Sequence, residues 1–444
     1  MSTDLGDGDV AVIGGGIAGL SCAWELVSRG WTVRLFEPGV VGGLIRSTRV
    51  GGYLVEQGPN VLLGKKPLVD FLGRVGLAGE ILNPIIPNYR QYVWNGTQPV
   101  AVPRGPAALV TSSLATMTEK VALLKGVFSR GALVPTAEDM SVQQYLSPVF
   151  GERIVRHIAD TTLKGIYGGV VERLSARSLF PGLWDAGGRG LSFMQYAKEK
   201  RAAFGAPSIL TMRGGNQLLV DRLKQLLGNT IVSSAVEGIS PQRDGFMLST
   251  SSGEECFVNG VVVACPGFAA AHLVKSCHPS AAAALGSVQR APLVVVHIAA
   301  PWSAGSLPEK GFGVLFPRGE PSHLLGVMFN SAIFPQYGSS EGHLLTVCLG
   351  GVGGEGILDE DDAKIADRAS RLIERRLNLK SLNPLMVTRW PAAIPQYAIG
   401  HWRVCDAIAE MEREYPRLRF IGAERGGIGV ADRVAEAIRV AQLV

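Results

Sequence analysis

No stretch of this chain approaches about 18 consecutive apolar residues, so no helix of it is expected to span a bilayer. Its six cysteines (Cys22, Cys256, Cys265, Cys277, Cys348, Cys405) form no C-x-x-C pair and no zinc spacing. They read as small buried apolar residues in a reducing compartment. Basic runs are missing too. A net charge of +5 is spread over 444 residues without aromatic–basic interleaving, so no nucleic-acid partner is expected. Seven histidines are scattered, and no His/Asp or Ser/His constellation stands out. Acids, rather than a basic-then-apolar leader, precede the first strand, and the chain is expected in the cytoplasm.

Glycine is plentiful: 56 residues, nearly twice the usual share of about 7%. One group of glycines has an informative context. Val10-Ala-Val-Ile-Gly14-Gly15-Gly16-Ile17-Ala18-Gly19 is an apolar strand running into a Gly-x-Gly-x-x-Gly turn, and an amphipathic helix follows. The next strand ends at Glu37, with Gly42-Gly43 beyond it. That order predicts a dinucleotide-binding βαβ unit. Gly14 makes the turn, Gly16 admits a pyrophosphate to free N–H groups at a helix N-terminus, and Gly19 lets helix and strand pack closely. Glu37 is placed to accept both ribose hydroxyls.

The length predicts two or three domains. A helix is expected over 66–82, and a hairpin over 89–102 with its turn at Asn95-Gly96. A mostly helical stretch follows to about residue 201. Within it, 109–134 is apolar and reads either as a buried helix pair or as a lipid-touching surface. Further strands are expected at 231–236, 246–250, 258–264, 293–298, 311–316, 324–330, 344–350 and 418–422. Helices are expected at 218–227, at 359–377 and at the C-terminus. The nucleotide part is therefore discontinuous. Near its end, Gly422 and Gly426-Gly427-Ile-Gly429-Val430 form a second glycine-rich turn that opens a helix. Its N–H groups would stabilise negative charge on a reduced isoalloxazine, which favours a flavin over a nicotinamide.

The chain resembles the FAD-dependent protoporphyrinogen oxidases, within the wider amine oxidase and desaturase superfamily. The resemblance covers nearly the whole sequence. It rests on Gly52-Tyr53-Leu-Val-Glu56-Gln57-Gly58-Pro59-Asn60, Gly165-Ile-Tyr167-Gly168-Gly169, Leu179-Phe180-Pro181 and Arg213-Gly214-Gly215. Gly311-Phe312-Gly313-Val-Leu315, Leu325-Gly326 with Phe334-Pro335, and Ile394-Pro395-Gln396-Tyr397-Ala-Ile-Gly400-His401 complete it. The implied fold is α/β: a discontinuous Rossmann-type FAD domain (1–65, 205–268, 386–444), a β-rich substrate domain (66–87, 269–385) and a helical insertion (88–204) that touches membranes in the family. Noncovalent FAD would lie on Gly14, Gly15, Gly16, Ala18, Gly19, Glu37, Gly42, Gly43, Arg46, Gly58, Pro59, Asn60, Val236, Gly422, Gly429 and Val430. Substrate would meet Arg90, as partner of a propionate, together with Leu315, Met328, Cys348 and Gly168.

Two departures stand out. The segment between Glu37 and Gly42 is short and lacks the family's arginine, which leaves Arg46 as the expected pyrophosphate contact. The C-terminal signature carries Arg425 and Ala431-Asp432-Arg433 where relatives have an aromatic residue and an Asn-Asp-Cys string. The resemblance implies that a porphyrinogen gives hydride to flavin N5 in repeated cycles, with O2 as acceptor and H2O2 as product, and that ferrochelatase is a partner. His401 is expected to be structural rather than a base. Protoporphyrinogen is the expected substrate, because the apolar slot offers few cations for the four carboxylates of coproporphyrinogen. Coproporphyrinogen, an amine oxidase or desaturase activity, and a non-catalytic flavin- or haem-binding role stay open.

Overall fold

The computed structural model describes residues 9–103, 112, 114–204, 208–319 and 323–443. Two sheets of different character position everything else. The first is parallel, in the order Ile231–Val232, Thr32–Phe36, Asp9–Ile13, Gly260–Val263, Leu418–Phe420. Its strands come from three distant parts of the chain. Both faces are covered, so the first strand is apolar without alternation. Val10 and Val12 pack on helices Ile17–Ser28, Gln217–Leu227 and Val430–Val440. Ala11 and Ile13 face helices Gly267–Val274, Pro279–Gly286 and Trp402–Glu414.

The second sheet has seven strands in the order Asn383–Pro395, Arg290–Pro301, Gly342–Gly350, Leu324–Met328, Gly311–Leu315, Arg90–Trp94, Pro99–Ala101. Neighbours are antiparallel except Gly311–Leu315 with Arg90–Trp94. One face carries Val294, Val296, Val314, Val327, Leu345 and Val347. It is buried against Ile365, Ala369 and Ile373 of helix Asp362–Leu377. The opposite face lines the site described below. Among the described residues no helix is long and apolar enough to cross a membrane.

The structure corrects several boundaries. The helix expected over 66–82 is Lys66–Arg74. It stops because the chain turns left-handed at Gly76, and a short strand Ile81–Leu82 follows. The stretch 231–236 divides between the parallel sheet and a separate antiparallel strand, Val236–Gln242. Strand Asn383–Pro395 was not expected, and most of it falls in the segment assigned to the nucleotide domain. It is instead the edge of the seven-stranded sheet, as is the hairpin Arg90–Ala101 that had been grouped with the helical insertion. An edge strand that tolerates Pro384 and Pro391 and shows little alternation reads poorly from sequence.

The segment 56–60 leaves the nucleotide part and lies against the second sheet, where the Trp390 indole donates to the Gln57 carbonyl at 2.7 Å. Glu56 is almost fully buried there. It accepts from Ser47 Oγ (2.6 Å), the Asn216 N–H (2.8 Å) and the Tyr337 hydroxyl (3.1 Å). Burial pushes its carboxyl up to about 7, against the pull of these donors. The folded state thus holds a proton that the unfolded chain gives up near 4.5. Stability therefore falls as pH rises between these two values, and the loss is complete above about 7. A shift of this size corresponds to at most about 3 kcal/mol. Glu56→Gln is expected to remove the dependence. Thermal melts at pH 5 and pH 8 check it: the variant should gain on wild type at the higher pH, and an equal difference at both would contradict the assignment.

Candidate active site

The carboxyl ends of the parallel strands form one crevice, the usual place for a dinucleotide. The Gly14 N–H donates to the Phe36 carbonyl at 2.8 Å, locking the first turn to the second strand. A Cβ on Gly19 would stand 1.9 Å from the Gly14 carbonyl oxygen, so only glycine lets the helix come this close. Gly16 is the contrast. Nothing lies within 4 Å of its Cβ direction, and it caps helix Ile17–Ser28 without a side-chain cap. Ala18 is buried inside that first turn.

A second glycine turn seats on the first. The Gly42 N–H donates to the Gly15 carbonyl at 2.8 Å, and a Cβ on Gly43 would meet Gly16 Cα at 3.3 Å. Arg46 donates through Nε to the Gly43 carbonyl at 3.2 Å, and its guanidinium lies 5.3 Å over the Trp390 ring. Glu37 accepts the Gly15 and Gly39 N–H groups, one on each oxygen, both at 2.8 Å. Each oxygen keeps acceptor capacity for a ribose hydroxyl. Gly58 packs its Cα on the Leu44 carbonyl, and the Pro59 carbonyl accepts from Asn216 at 2.8 Å. The Asn60 side-chain oxygen accepts from Asn330 at 2.7 Å. Val236 is buried just beyond the end of the strand Ile231–Val232, whose last carbonyl accepts the Glu37 N–H.

At the far end of the crevice, Gly422 follows the last strand, and Gly429 caps helix Val430–Val440. Between them stands Glu424, which sequence reasoning missed. It is almost fully buried. One carboxylate oxygen holds the Gly267 N–H at 2.9 Å and the Arg290 guanidinium; the other has no partner. An unpartnered buried acceptor in a tightly packed glycine turn fits a polyhydroxylated chain such as a ribityl group. The only advance signal was an acid directly after a strand end, inside a glycine-rich turn.

The other half of the site is the free face of the seven-stranded sheet. Leu315, Gly326 and Cys348 stand in one row across three strands, and Gly313, Met328 and Thr346 in the next. Leu315 wedges against Gly165, where a Cβ would lie 2.5 Å from Leu315 Cδ2. Burial pushes the Cys348 thiol up to about 12, so it is a neutral wall rather than a nucleophile. Gly168 lies beside Gly351, past the end of strand Gly342–Gly350, its carbonyl accepting the Val352 N–H at 2.7 Å. The structure thus sets Leu315, Met328 and Cys348 in adjacent rows of one face, while Gly168 packs against Gly351 and Ala291. Arg90 alternates with Gln91 and Val93, the two residues that pair with this face, and so shares the other side with Tyr92 and Trp94. It lies half exposed at 3.8 Å from Glu309. Polar atoms were also missed on this face. His297 Nδ1, Thr346 Oγ1 and Thr388 Oγ1 are buried without partners, while His297 Nε2 donates to the Glu56 carbonyl at 3.0 Å. Burial holds that imidazole neutral, down to about 4.

A glycine-lined dinucleotide crevice facing an apolar sheet has clear parallels. The sequence model for flavin containing amine oxidoreductases matches residues 17–444. The chain belongs to that family. As a flavin containing amine oxidoreductase it is 28% identical over 478 residues to protoporphyrinogen oxidase 2 of Arabidopsis thaliana, covering 98% of this chain and 93% of the relative. It is 28% identical to coproporphyrinogen III oxidase of Mycobacterium bovis, with 96% and 95% covered. An Exiguobacterium crystal structure provisionally assigned as a protoporphyrinogen oxidase superposes with TM-score 0.81 at 21% identity, over 99% of this chain and 98% of that one. Cyclohexylamine oxidase of Brevibacterium oxydans gives 0.69 at 16%, over 98% of each, which shows a shared fold.

Gly16→Val tests the crevice. Open space at this Cβ means the apoprotein should fold with an unchanged melting temperature, while the side chain blocks the pyrophosphate's approach. FAD titration should then show binding lost. Retained affinity would put the phosphates elsewhere.

Proposed function

We propose that this flavin oxidoreductase dehydrogenates a porphyrinogen to the porphyrin, with noncovalent FAD as cofactor, O2 as final acceptor, and protoporphyrinogen as the preferred substrate. One observation carries the substrate class. The sheet face opposite the core carries Leu315, Gly326, Cys348, Gly313, Met328 and, as its polar member, Thr346; none of the six is charged. A flat macrocycle with few charged substituents suits such a floor. Four carboxylates would need several cations there. The relatives include both protoporphyrinogen and coproporphyrinogen oxidases, so coproporphyrinogen is the second reading.

When bound, the flavin takes the hydride and passes electrons to O2, giving H2O2. The chain's own work is orientation and exclusion of water. Leu315, Met328 and Cys348 hold the macrocycle's face, and the Gly168 backbone lets it approach closely. Arg90 stands at the first position of its strand, on the side away from this floor, and is proposed as the partner of a propionate that extends past the strand's open end. Comparing kcat/KM for the two porphyrinogens by porphyrin fluorescence decides the substrate, and a higher value for coproporphyrinogen would overturn the preference. Arg90→Ala should raise KM about tenfold or more with the flavin spectrum unchanged, as expected for a lost charge-assisted contact. An unchanged KM would leave Arg90 as a surface ion pair.

Peripheral membrane contact is part of the proposal. Helix Met117–Phe128 shows Met117, Val121, Leu124 and Phe128 exposed along one stripe, at 65%, 49%, 42% and 62%. Its other side is pinned on helix Val142–Phe150, where a Cβ on Gly126 would collide with the Val149 carbonyl. Residues 109–111 and 113 of the apolar stretch lie outside the described residues. Phe128→Ser with Val121→Ser should abolish co-sedimentation with anionic lipid vesicles and leave the melting temperature unchanged. Equal sedimentation would contradict lipid contact through this stripe.

A further inference from the structure

The string Ile394-Pro395-Gln396-Tyr397-Ala-Ile-Gly400-His401 joins the two halves of the molecule. It leaves the edge strand Asn383–Pro395 and enters helix Trp402–Glu414, which covers the parallel sheet. Tyr397 and His401 are both buried and stack face to face, centroids 4.2 Å apart with planes 12° apart. Both direct their polar atoms at one target, the turn that carries Glu424. The Tyr397 hydroxyl donates to the Ala423 carbonyl and accepts the Gly427 N–H at 3.1 Å. His401 Nε2 donates to the Glu424 carbonyl at 2.6 Å. Three backbone groups of one short turn are thus tied to a single aromatic stack.

The turn has little room to settle otherwise. A Cβ on Gly426 would stand 2.7 Å from the Arg433 guanidinium, and one on Gly427 2.9 Å from the Asp432 carboxylate. With its backbone fixed this way, Glu424 keeps one carboxylate oxygen buried and unpartnered. On its other side the string reaches the substrate wall. Gln396 Nε2 donates to the Tyr167 carbonyl at 2.7 Å, and the Tyr167 and Tyr397 rings lie 6.0 Å apart. Tyr167 immediately precedes Gly168. Further bonds anchor the string to the helical region: the Ser175 N–H to the Tyr397 carbonyl, and the Gly400 N–H to Asp139, both at 2.7 Å.

We propose that Tyr397 and His401 are positioning residues for the cofactor: their stack holds the turn 423–427 in the shape that receives the flavin and, through Gln396, sets that turn against the substrate wall at Tyr167–Gly168. The proposal rests on the flavin reading of the crevice. It makes the string a shared reference for two ligands that must meet at one distance. Neither side chain enters the chemistry. Tyr397→Phe keeps the ring and removes the hydroxyl hub. His401→Gln keeps an N–H donor, and His401→Ala removes it.

The test is FAD titration of the apoproteins, with the midpoint potential of bound flavin measured against redox dyes. Tyr397→Phe and His401→Ala are expected to raise the Kd for FAD at least tenfold and to move the flavin potential. His401→Gln should recover most of the affinity lost in His401→Ala. Wild-type Kd and potential in Tyr397→Phe, whatever its melting temperature, would overturn the proposal, as would a His401→Gln protein no better than His401→Ala. Wild-type protein that takes up no FAD would overturn the cofactor reading, and the proposal with it.

Discussion

Close backbone approach at glycine is the constraint on which the rest depends. Gly19 meets the Gly14 carbonyl where any side chain would collide, and Gly43 rests against Gly16. Two turns from separate parts of the first βαβ unit pack into one glycine-lined surface at the N-terminus of helix Ile17–Ser28. No lysine or arginine lies between Glu37 and Gly42, so an anion there would be held chiefly by backbone donors and the helix N-terminus. Arg46, tied to the Gly43 carbonyl and lying over Trp390, is the nearby cation on the same surface.

The seven-stranded sheet divides its work by face. Valines and leucines at alternate positions bury one side on helix Asp362–Leu377 and fix the register. The positions between them are released for ligand, and they are small, flexible or uncharged: Gly313, Leu315, Gly326, Met328, Cys348. A one-residue slip would exchange the two sets. Stability of the core and identity of the site are therefore one requirement, stated twice along each strand. The unpartnered His297, Thr346 and Thr388 atoms on the site face are the exception, buried polar groups without a protein partner.

Much of this was legible because it is local. The glycine turns, the Asn95-Gly96 hairpin and helix Asp362–Leu377 each follow from spacing within a few turns of chain. What was illegible is non-local. Glu424 is a site residue because Arg290, 134 positions earlier, and Gly267 bury its carboxylate. Strand Asn383–Pro395 exists because Arg290–Pro301 offers it an edge to pair with. His401 was read as structural, and it does bond the backbone of Glu424, but nothing in its neighbourhood in sequence names that target. Arg90 is a case in between: the same alternation that fills the core with Tyr92 and Trp94 sets it on their side of the strand.

The proposed function requires that a flavin in the glycine crevice and a porphyrinogen on the apolar sheet face react directly. Anaerobic mixing of the FAD-loaded protein with protoporphyrinogen tests it without help from O2. Oxidised flavin absorbance should disappear as porphyrin emission grows, and admitting O2 should restore the flavin. Flavin that stays oxidised, while free dithionite reduces it normally, would contradict the claim.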